Sequence, residues 1–360
     1  MRRNRSRKTA GCRFMVACAP VRTGAEITVV FRTWSTFLTC SARWNRAPLI
    51  FVSVLSVLLT VPASVADELT VGQPAITCAA ITSDGRTVID GSQSGVRIRR
   101  WQDLDVEQTL TVPCRHIHDV VLSQAESQFA VVGGNPGESA WVGMYSWPGR
   151  DLIWSQSFSD DVAYAARFNS TGTTLAVACH DHAVALMNTD QGSMQTLLKG
   201  HSRPVTAVAF LHNDATLLSC GLDQSLRVWD CDRGTVVRSL TNHTQPITCL
   251  AVQPATSNPM PMIATGSEDR TVRLWQPIIG RLIRFQRLPS PVTTLAWTPD
   301  GAGLVAGCQD GMLRVVQADT LHTTEHAATI DTWITAVAVH PAESTALVGD
   351  GNGRLTKVPL

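Results

Sequence analysis

The chain has 360 residues, of which 44% are hydrophobic and 16% charged, so it is long enough for one large domain or two ordinary ones and too apolar for general disorder. The net charge of +1 is unevenly distributed: residues 1–48 contain ten Arg or Lys and one acid and sum to +9, which leaves −8 for the rest of the chain. An acidic body argues against a nucleic-acid partner, because nucleic-acid binding needs a basic face.

Residues 1–66 are predicted to be a basic leader that ends in a secretory signal peptide. The apolar run LIFVSVLSVLLTV (49–61) is followed by PASVADE, with Ser64 and Ala66 at the −3 and −1 positions of a small-residue cleavage site. The run is shorter than the roughly 20 residues that span a bilayer as a helix. We therefore expect cleavage after Ala66, a periplasmic or secreted protein and no stable membrane span. A retained anchor and a true start after residue 61 are the alternatives.

From residue 72 onward the sequence consists of seven similar copies. Each copy begins with a short alternating run, continues after a polar turn with a second run, and in most copies adds a third and a fourth. The first runs are AITCAAI (75–81), HIHDVVL (116–122), VAYAARF (162–168), PVTAVAF (204–210), PITCLAV (246–252), PVTTLAW (291–297) and WITAVAV (333–339). Four short strands per copy, at a period of about 35 to 45 residues, indicate a β-propeller.

Copies four and five carry the same four kinds of residue at similar spacing. These residues are His201, Ser219, Asp223 and Trp229 in copy four, and His243, Thr265, Asp269 and Trp275 in copy five. A buried imidazole and a buried indole N–H each need a hydrogen-bond partner. In these residues the chain resembles the WD40-repeat family, where they form a tetrad in which His bonds Asp and Ser or Thr bonds both His and Trp. The resemblance implies an all-β, seven-bladed WD40-type β-propeller over residues 67–360.

The last copy ends at GRLTKVPL (353–360) after three strands, while DELTV (67–71) is a strand candidate with no copy of its own. In propellers of the family that the chain resembles, an N-terminal strand commonly completes the last blade. We therefore expect Asp67–Val71 to pair with Arg354–Pro359 and close the ring. Such pairing removes two exposed sheet edges at once.

Two short segments, CRHIH (114–118) and ACHDHA (178–183), contain candidate metal ligands. Asp181 aligns with the turn aspartates of other copies, so its expected role is to bond the local backbone. The histidines are His116, His118, His180 and His182. The two pairs are expected to approach each other across adjacent blades, but a structural zinc site needs four ligands in tetrahedral geometry. A metal-binding or enzymatic rim formed by these histidines is kept as an alternative, and no metal or cofactor is predicted.

Motifs typical of enzymes are missing from the sequence: there is no Walker loop and no HExxH, and GSQSG (91–95) has Gln where an esterase has its nucleophile. The resemblance implies instead a platform for a protein or peptide partner, bound at the face around the central channel. The positions expected to line that face are His116, Asp161, Arg203, Gln245, Pro291 and Trp333. Trp and Arg often dominate interface energetics, although Trp333 has packing over the channel rim as its other interpretation.

The sequence therefore predicts an exported, non-catalytic protein-binding scaffold. A metal-binding or enzymatic propeller that uses the histidine rim is the first alternative. A cytoplasmic WD-repeat regulatory scaffold is the second.

Overall fold

The computed structural model describes residues 21–23, 26–28, 73–254, 261–326 and 330–360. The chain divides into two units, Met1–Asp67 and Glu68–Leu360. In the first unit, β1 (Val21–Thr23) pairs antiparallel with β2 (Glu26–Thr28). The predicted signal peptide, its cleavage site after Ala66 and the predicted closing strand Asp67–Val71 lie outside the described residues.

The second unit is a ring of seven antiparallel sheets, so the predicted seven-bladed β-propeller is confirmed. Blade 1 contains β3 (Ile76–Ile81), β4 (Thr87–Ser92), β5 (Gly95–Arg100) and β6 (Val106–Leu110). Blade 2 contains β7 (His116–Leu122), β8 (Gln128–Asn135), β9 (Ser139–Ser146) and β10 (Leu152–Phe158). Blade 3 contains β11 (Ala163–Phe168), β12 (Thr174–Cys179), β13 (Ala183–Asn188) and β14 (Met194–Lys199). Blade 4 contains β15 (Val205–Phe210), β16 (Thr216–Gly221), β17 (Leu226–Asp230) and β18 (Thr235–Leu240).

The remaining blades follow the same order along the chain. Blade 5 contains β19 (Ile247–Val252), β20 (Ile263–Ser267), β21 (Thr271–Gln276) and β22 (Arg281–Arg287). Blade 6 contains β23 (Val292–Trp297), β24 (Gly303–Cys308), β25 (Leu313–Gln317) and β26 (Thr323–His326). Blade 7 contains β27 (Ile334–Val339), β28 (Thr345–Asp350) and β29 (Leu355–Pro359). No helix long and apolar enough to cross a bilayer occurs in the part of the chain that the structure describes.

The core lies between blades, because each sheet is covered on both faces by its neighbours. The second strands β12 and β16 are buried at five of six residues, while the outer strand β18 is largely exposed. A strand covered on both faces carries a nearly continuous apolar run, and a strand at the outer edge alternates or is polar. This burial explains why the second run of most copies is mainly apolar.

The turn between the second and third strands is built around an aspartate in several blades. The carboxylate accepts a hydrogen bond from the backbone N–H two residues later at Asp181, Asp223, Asp269, Asp310 and Asp350. The residue after Asp181 is His182, whose φ of 70° is left-handed, and Gly311 takes that position in blade 6 with φ 78°. Asp181 of the ACHDHA segment therefore stabilises a turn, and His182 occupies a position that glycine adopts without strain.

Blades 7 and 1 meet at a seam that is joined by side chains. His340 Nε2 lies 3.0 Å from the carbonyl oxygen of Gly85, and Trp101 Nε1 donates to Glu343 Oε2 at 3.2 Å. Lys357 Nζ donates to the carbonyl oxygen of Gln102 at 2.9 Å and lies 4.5 Å from the centre of the Trp101 ring. Blade 7 has three strands among the described residues, so these contacts hold the ring closed in the described part of the chain.

Candidate functional site

The two tetrads lie at the end of the propeller where the inner strands begin, which we call the tetrad face. In blade 4, His201 Nδ1 lies 2.9 Å from Asp223 Oδ2, and His201 Nε2 lies 2.7 Å from Ser219 Oγ. Trp229 Nε1 donates to the same hydroxyl oxygen at 2.8 Å. Burial opposes the charge of Asp223, but hydrogen bonds from His201 and Ser225 outweigh it and hold the pKa of that carboxyl well below its ordinary value.

Blade 5 repeats this arrangement with threonine in place of serine. His243 Nδ1 lies 2.8 Å from Asp269 Oδ2, His243 Nε2 lies 2.8 Å from Thr265 Oγ1, and Trp275 Nε1 donates to Thr265 Oγ1 at 2.9 Å. Burial lowers the pKa of His243 by more than the Asp269 carboxylate raises it, so the neutral imidazole is favoured. Both tetrads tie the loop that enters an inner strand to the turn behind it, and so fix the surface of the tetrad face.

Blades 3 and 6 have other residues at the tetrad positions. In blade 3, Val177 and Met187 occupy the places of the hydroxyl and the indole and are fully buried. In blade 6, Leu288 stands where blades 4 and 5 have histidine. Arg314 pairs there with Asp310 through two nitrogens at 3.0 and 2.8 Å. The Asp310 N–H donates to Ser290 Oγ at 3.1 Å. An arginine clamp thus takes over the role of the histidine.

The residues expected to line the partner-binding face all lie at or just before the start of an inner strand. Arg203, Gln245 and Trp333 are exposed, whereas His116, Asp161 and Pro291 are half-buried; all six belong to different blades. They therefore lie at the tetrad-face end of six different blades. Two of them bond to neighbours: His116 Nδ1 lies 3.4 Å from Gln93 Nε2, and Asp161 Oδ2 lies 3.1 Å from His180 Nδ1.

Below the mouth, a ladder of threonines joins neighbouring inner strands. Each of four threonine hydroxyls lies within hydrogen-bond distance of a carbonyl oxygen of its own second strand and one of the next blade's inner strand: Thr206, Thr248, Thr293 and Thr335. Each hydroxyl has one proton to donate, so it is shared between the two carbonyls. The corresponding residues of blades 2 and 3 are His118 and Tyr164, and there the ladder stops.

His118 and Tyr164 belong to a row of four rings that crosses blades 2 and 3. The ring centres are 6.2 Å apart for His116 and His118, 5.2 Å for His118 and Tyr164, and 6.0 Å for Tyr164 and His180. Burial, and then the nearby charge of His116, lowers the pKa of His118 to about 4. The row joins the two predicted histidine segments through a tyrosine that the sequence analysis did not single out.

The four histidines of the proposed rim do not converge on one point. His182 is exposed in its turn and takes no part in the row. Within the described ranges, no group of three or more His, Cys, Asp or Glu side chains is arranged to hold a metal ion.

Trp333 lies on the tetrad face, just before the inner strand of blade 7, and half of its surface is exposed. Its indole lies against Gly351: a Cβ built on that glycine would be 2.5 Å from Trp333 Nε1. The Trp333 carbonyl oxygen accepts a hydrogen bond from the Gly351 N–H at 3.2 Å. A glycine is therefore required for the indole to adopt this position, and the sequence analysis missed it because the contact depends on the fold.

Comparison of the repeats position by position would have revealed Tyr164. Five of the seven copies have threonine at this point of the inner strand, namely Thr77, Thr206, Thr248, Thr293 and Thr335. The departures at His118 and Tyr164 are therefore visible in the sequence. Gly351 leaves no comparable signal.

The family model of the WD domain, G-beta repeat, matches residues 192–230, 234–276 and 282–316, so the resemblance to WD40 repeats is confirmed. The chain is 31% identical over 110 residues to eukaryotic translation initiation factor 3 subunit I of Coccidioides immitis, which covers 31% of each chain. It is 27% identical over 213 residues to WD repeat and HMG-box DNA-binding protein 1 of Xenopus laevis, covering 52% of this chain and 17% of that one. The match to WD repeat-containing protein 91 homolog of Dictyostelium discoideum is 27% over 135 residues, or 35% of this chain and 17% of that one.

The matches span less than a third of the length of each of these relatives. Two of the relatives are named for translation initiation and for DNA binding, processes that take place inside cells. The predicted periplasmic or secreted location is therefore wrong. That prediction rested on the apolar run at residues 49–61 and the small residues after it, which lie outside the described residues.

Proposed function

We propose that this chain, a seven-bladed propeller with WD40 repeats, is a non-catalytic scaffold that binds a protein partner inside the cell through its tetrad face. Of the three interpretations of the sequence, this is the WD-repeat regulatory scaffold without export. The names of the relatives support the intracellular setting, since one is an initiation factor subunit and two are WD-repeat proteins. The half-exposed indole of Trp333 is the observation that carries the proposal.

Trp333 has the properties of an interface anchor. A tryptophan that stays half-exposed leaves a large apolar surface in water, and burying it in a complex is favourable by about 25 cal/mol for each Å² of apolar area. The contact with Gly351 holds the ring in place before a partner arrives, so little side-chain entropy is lost on binding. Anchors of this kind carry most of the binding energy in protein interfaces.

The ring row of blades 2 and 3 supplies the second part of the proposed surface. His116, Tyr164 and His180 are half-buried, and each combines a flat ring with a polar edge. Such side chains contact apolar and polar groups of a partner together. The threonine ladder in the other blades gives the channel mouth a rigid frame, which favours a binding surface that changes little on association.

The test is isolation of complexes from the native host with the full chain as bait, in parallel for the wild type, Trp333→Ala and Phe285→Ala. Phe285 is a matched control, since it is an aromatic residue with 53% exposure on the outer strand of blade 5. We expect the Trp333→Ala bait to recover its partner at least tenfold less efficiently and the Phe285→Ala bait to recover it normally. Gly351→Ala, which displaces the indole without deleting it, should also weaken recovery.

Equal recovery by the wild type and Trp333→Ala would overturn the proposal, as would a loss with Phe285→Ala of the same size. Circular dichroism and the melting temperature of each bait are measured alongside. Both substituted side chains are exposed, so neither change is expected to unfold the propeller.

A further inference from the structure

The opposite end of the channel, where the inner strands terminate, is strongly apolar. Each of the seven inner strands ends on an apolar residue, including Phe168, Phe210 and Trp297. The residue before it is alanine in five blades and valine in blade 2. In blade 3 it is Arg167, the only charged residue at this position of the seven copies.

A groove of about 300 Å³, open to solvent, runs along this end from blade 3 to blade 6. Eight apolar residues and Arg167 line it. The aromatic rings of Phe168, Phe210 and Trp297 form part of its walls, and the small side chains of Ala209 and Ala251 leave room between them. Pockets that bind ligands combine mostly apolar walls with a few placed polar groups.

The walls of the groove are held firmly. The Trp297 indole is 93% buried, and its Nε1 donates to the Ala251 carbonyl oxygen of the neighbouring blade at 3.1 Å. Phe168 and Phe210 are half-buried and pack against the cores between blades. The groove therefore exists before anything binds in it, apart from small movements of the two phenylalanine rings.

Arg167 is oriented by a neighbour on blade 2. Its Nη1 lies 2.5 Å from Asp119 Oδ2, and the same carboxylate oxygen accepts the Ala166 N–H at 3.1 Å. The Asp119 side chain is 15% exposed, and that of Arg167 is 40% exposed. The other two guanidinium nitrogens, Nε and Nη2, donate to no further side chain or carbonyl among the described residues. Asp119 therefore holds Nη1 in place, and Nε and Nη2 remain able to donate hydrogen bonds to a ligand.

We propose that this groove binds a peptide segment of a partner protein in which a carboxylate side chain stands next to a large apolar side chain. The free edge of the Arg167 guanidinium matches the geometry of a carboxylate and bonds it with two parallel N–H donors. The apolar neighbour fills the space between Phe210 and Trp297. Arg167 is the single charged residue in the lining, so the groove complements a ligand that carries a negative charge. This site lies at the opposite end of the channel from the tetrad face and does not depend on the function proposed there.

The test is selection of a display library of random nine-residue peptides on the immobilised full chain. We expect the enriched peptides to carry Asp or Glu beside Phe, Leu or Trp, and to bind Arg167→Gln at least tenfold more weakly than the wild type. Arg233→Gln is the matched control, since Arg233 is an exposed arginine outside the groove lining, and it should leave binding unchanged. Arg167→Lys, which keeps the charge but loses the fork, should show an intermediate loss.

Failure of the library to enrich any peptide, enrichment of peptides that lack an acid, or unchanged binding to Arg167→Gln would each overturn the proposal. Should Arg167→Gln not fold, Ala251→Leu replaces it, because it narrows the groove and leaves the ion pair with Asp119 in place. Peptides that lose affinity for Trp333→Ala rather than for the groove variants bind the tetrad face, and that outcome also refutes the groove. The two proposals therefore fail separately.

Discussion

Removing the hydroxyl of Thr265 is expected to destabilise the propeller far more than its size suggests. Thr265 is fully buried, and its Oγ1 is bonded by two other buried groups, His243 Nε2 at 2.8 Å and Trp275 Nε1 at 2.9 Å. Valine has nearly the same shape, so Thr265→Val deletes the hydroxyl and opens no cavity. The two nitrogens are then left without a partner in a site that water does not reach.

Each buried polar group left unpaired costs about 1–3 kcal/mol, so two of them give a loss of about 2–6 kcal/mol. A loss of this size is a large part of the roughly 5–15 kcal/mol that stabilises a typical protein. Thr265→Ser keeps the hydroxyl and removes one methyl group, and we expect it to cost about 1 kcal/mol. The pair of variants therefore separates the hydrogen bonds from the packing at one atom position.

The assay is equilibrium unfolding in urea, followed by far-ultraviolet circular dichroism and by tryptophan fluorescence, with coincident transitions as the condition for a two-state treatment. A double-mutant cycle with Trp275→Phe isolates the bond between the indole and Thr265. We expect a coupling energy of about 1 kcal/mol or more. A Thr265→Val protein within about 0.5 kcal/mol of the wild type would refute the reasoning, since surface changes commonly have effects of that size.

Three further outcomes are expected. His118→Thr should raise the melting temperature by extending the threonine ladder. Because the pKa of His118 is lowered to about 4, the wild type loses stability as the pH falls from about 6.5 to 4, and the variant should lose less. Equal slopes of stability against pH in the two proteins would count against this. His182→Gly should leave the melting temperature unchanged or raise it, because the φ of 70° suits glycine; a clear fall would show that the imidazole has a role of its own. Deletion of residues 67–71 should lower the melting temperature markedly if they complete blade 7, and an unchanged melting curve would contradict that assignment.

The architecture was predictable because the repeat leaves a clear signal in the sequence. The apolar second runs, the turn aspartates such as Asp223 and Asp310, and the fixed spacing of the polar residues in copies four and five follow from the burial of sheets stacked against each other. These features are local to one copy, so a single sequence displays them.

The sites between blades were less accessible to sequence reasoning. The expected approach of the two histidine segments depends on Tyr164, which occupies a position where other copies have threonine. The groove depends on the pairing of Arg167 with Asp119, 48 residues away, and on alanines in several different copies. No spacing rule within one copy contains this information, because it arises when the ring closes.

The mixed chemistry of the clamps has a consequence for how the ring responds to acid. The clamp of blade 5 uses a neutral imidazole at His243, since burial lowers the pKa of that side chain. The clamp of blade 6 uses Arg314, a guanidinium that stays protonated at any pH the protein meets, and Asp310. Burial acts to raise the pKa of Asp310, but the hydrogen bonds and charge of Arg314 outweigh it and hold that pKa below its ordinary value. When acid protonates His243, the clamp of blade 5 acquires a charge in a buried site while blade 6 keeps its ion pair, so acid loosens blade 5 before blade 6.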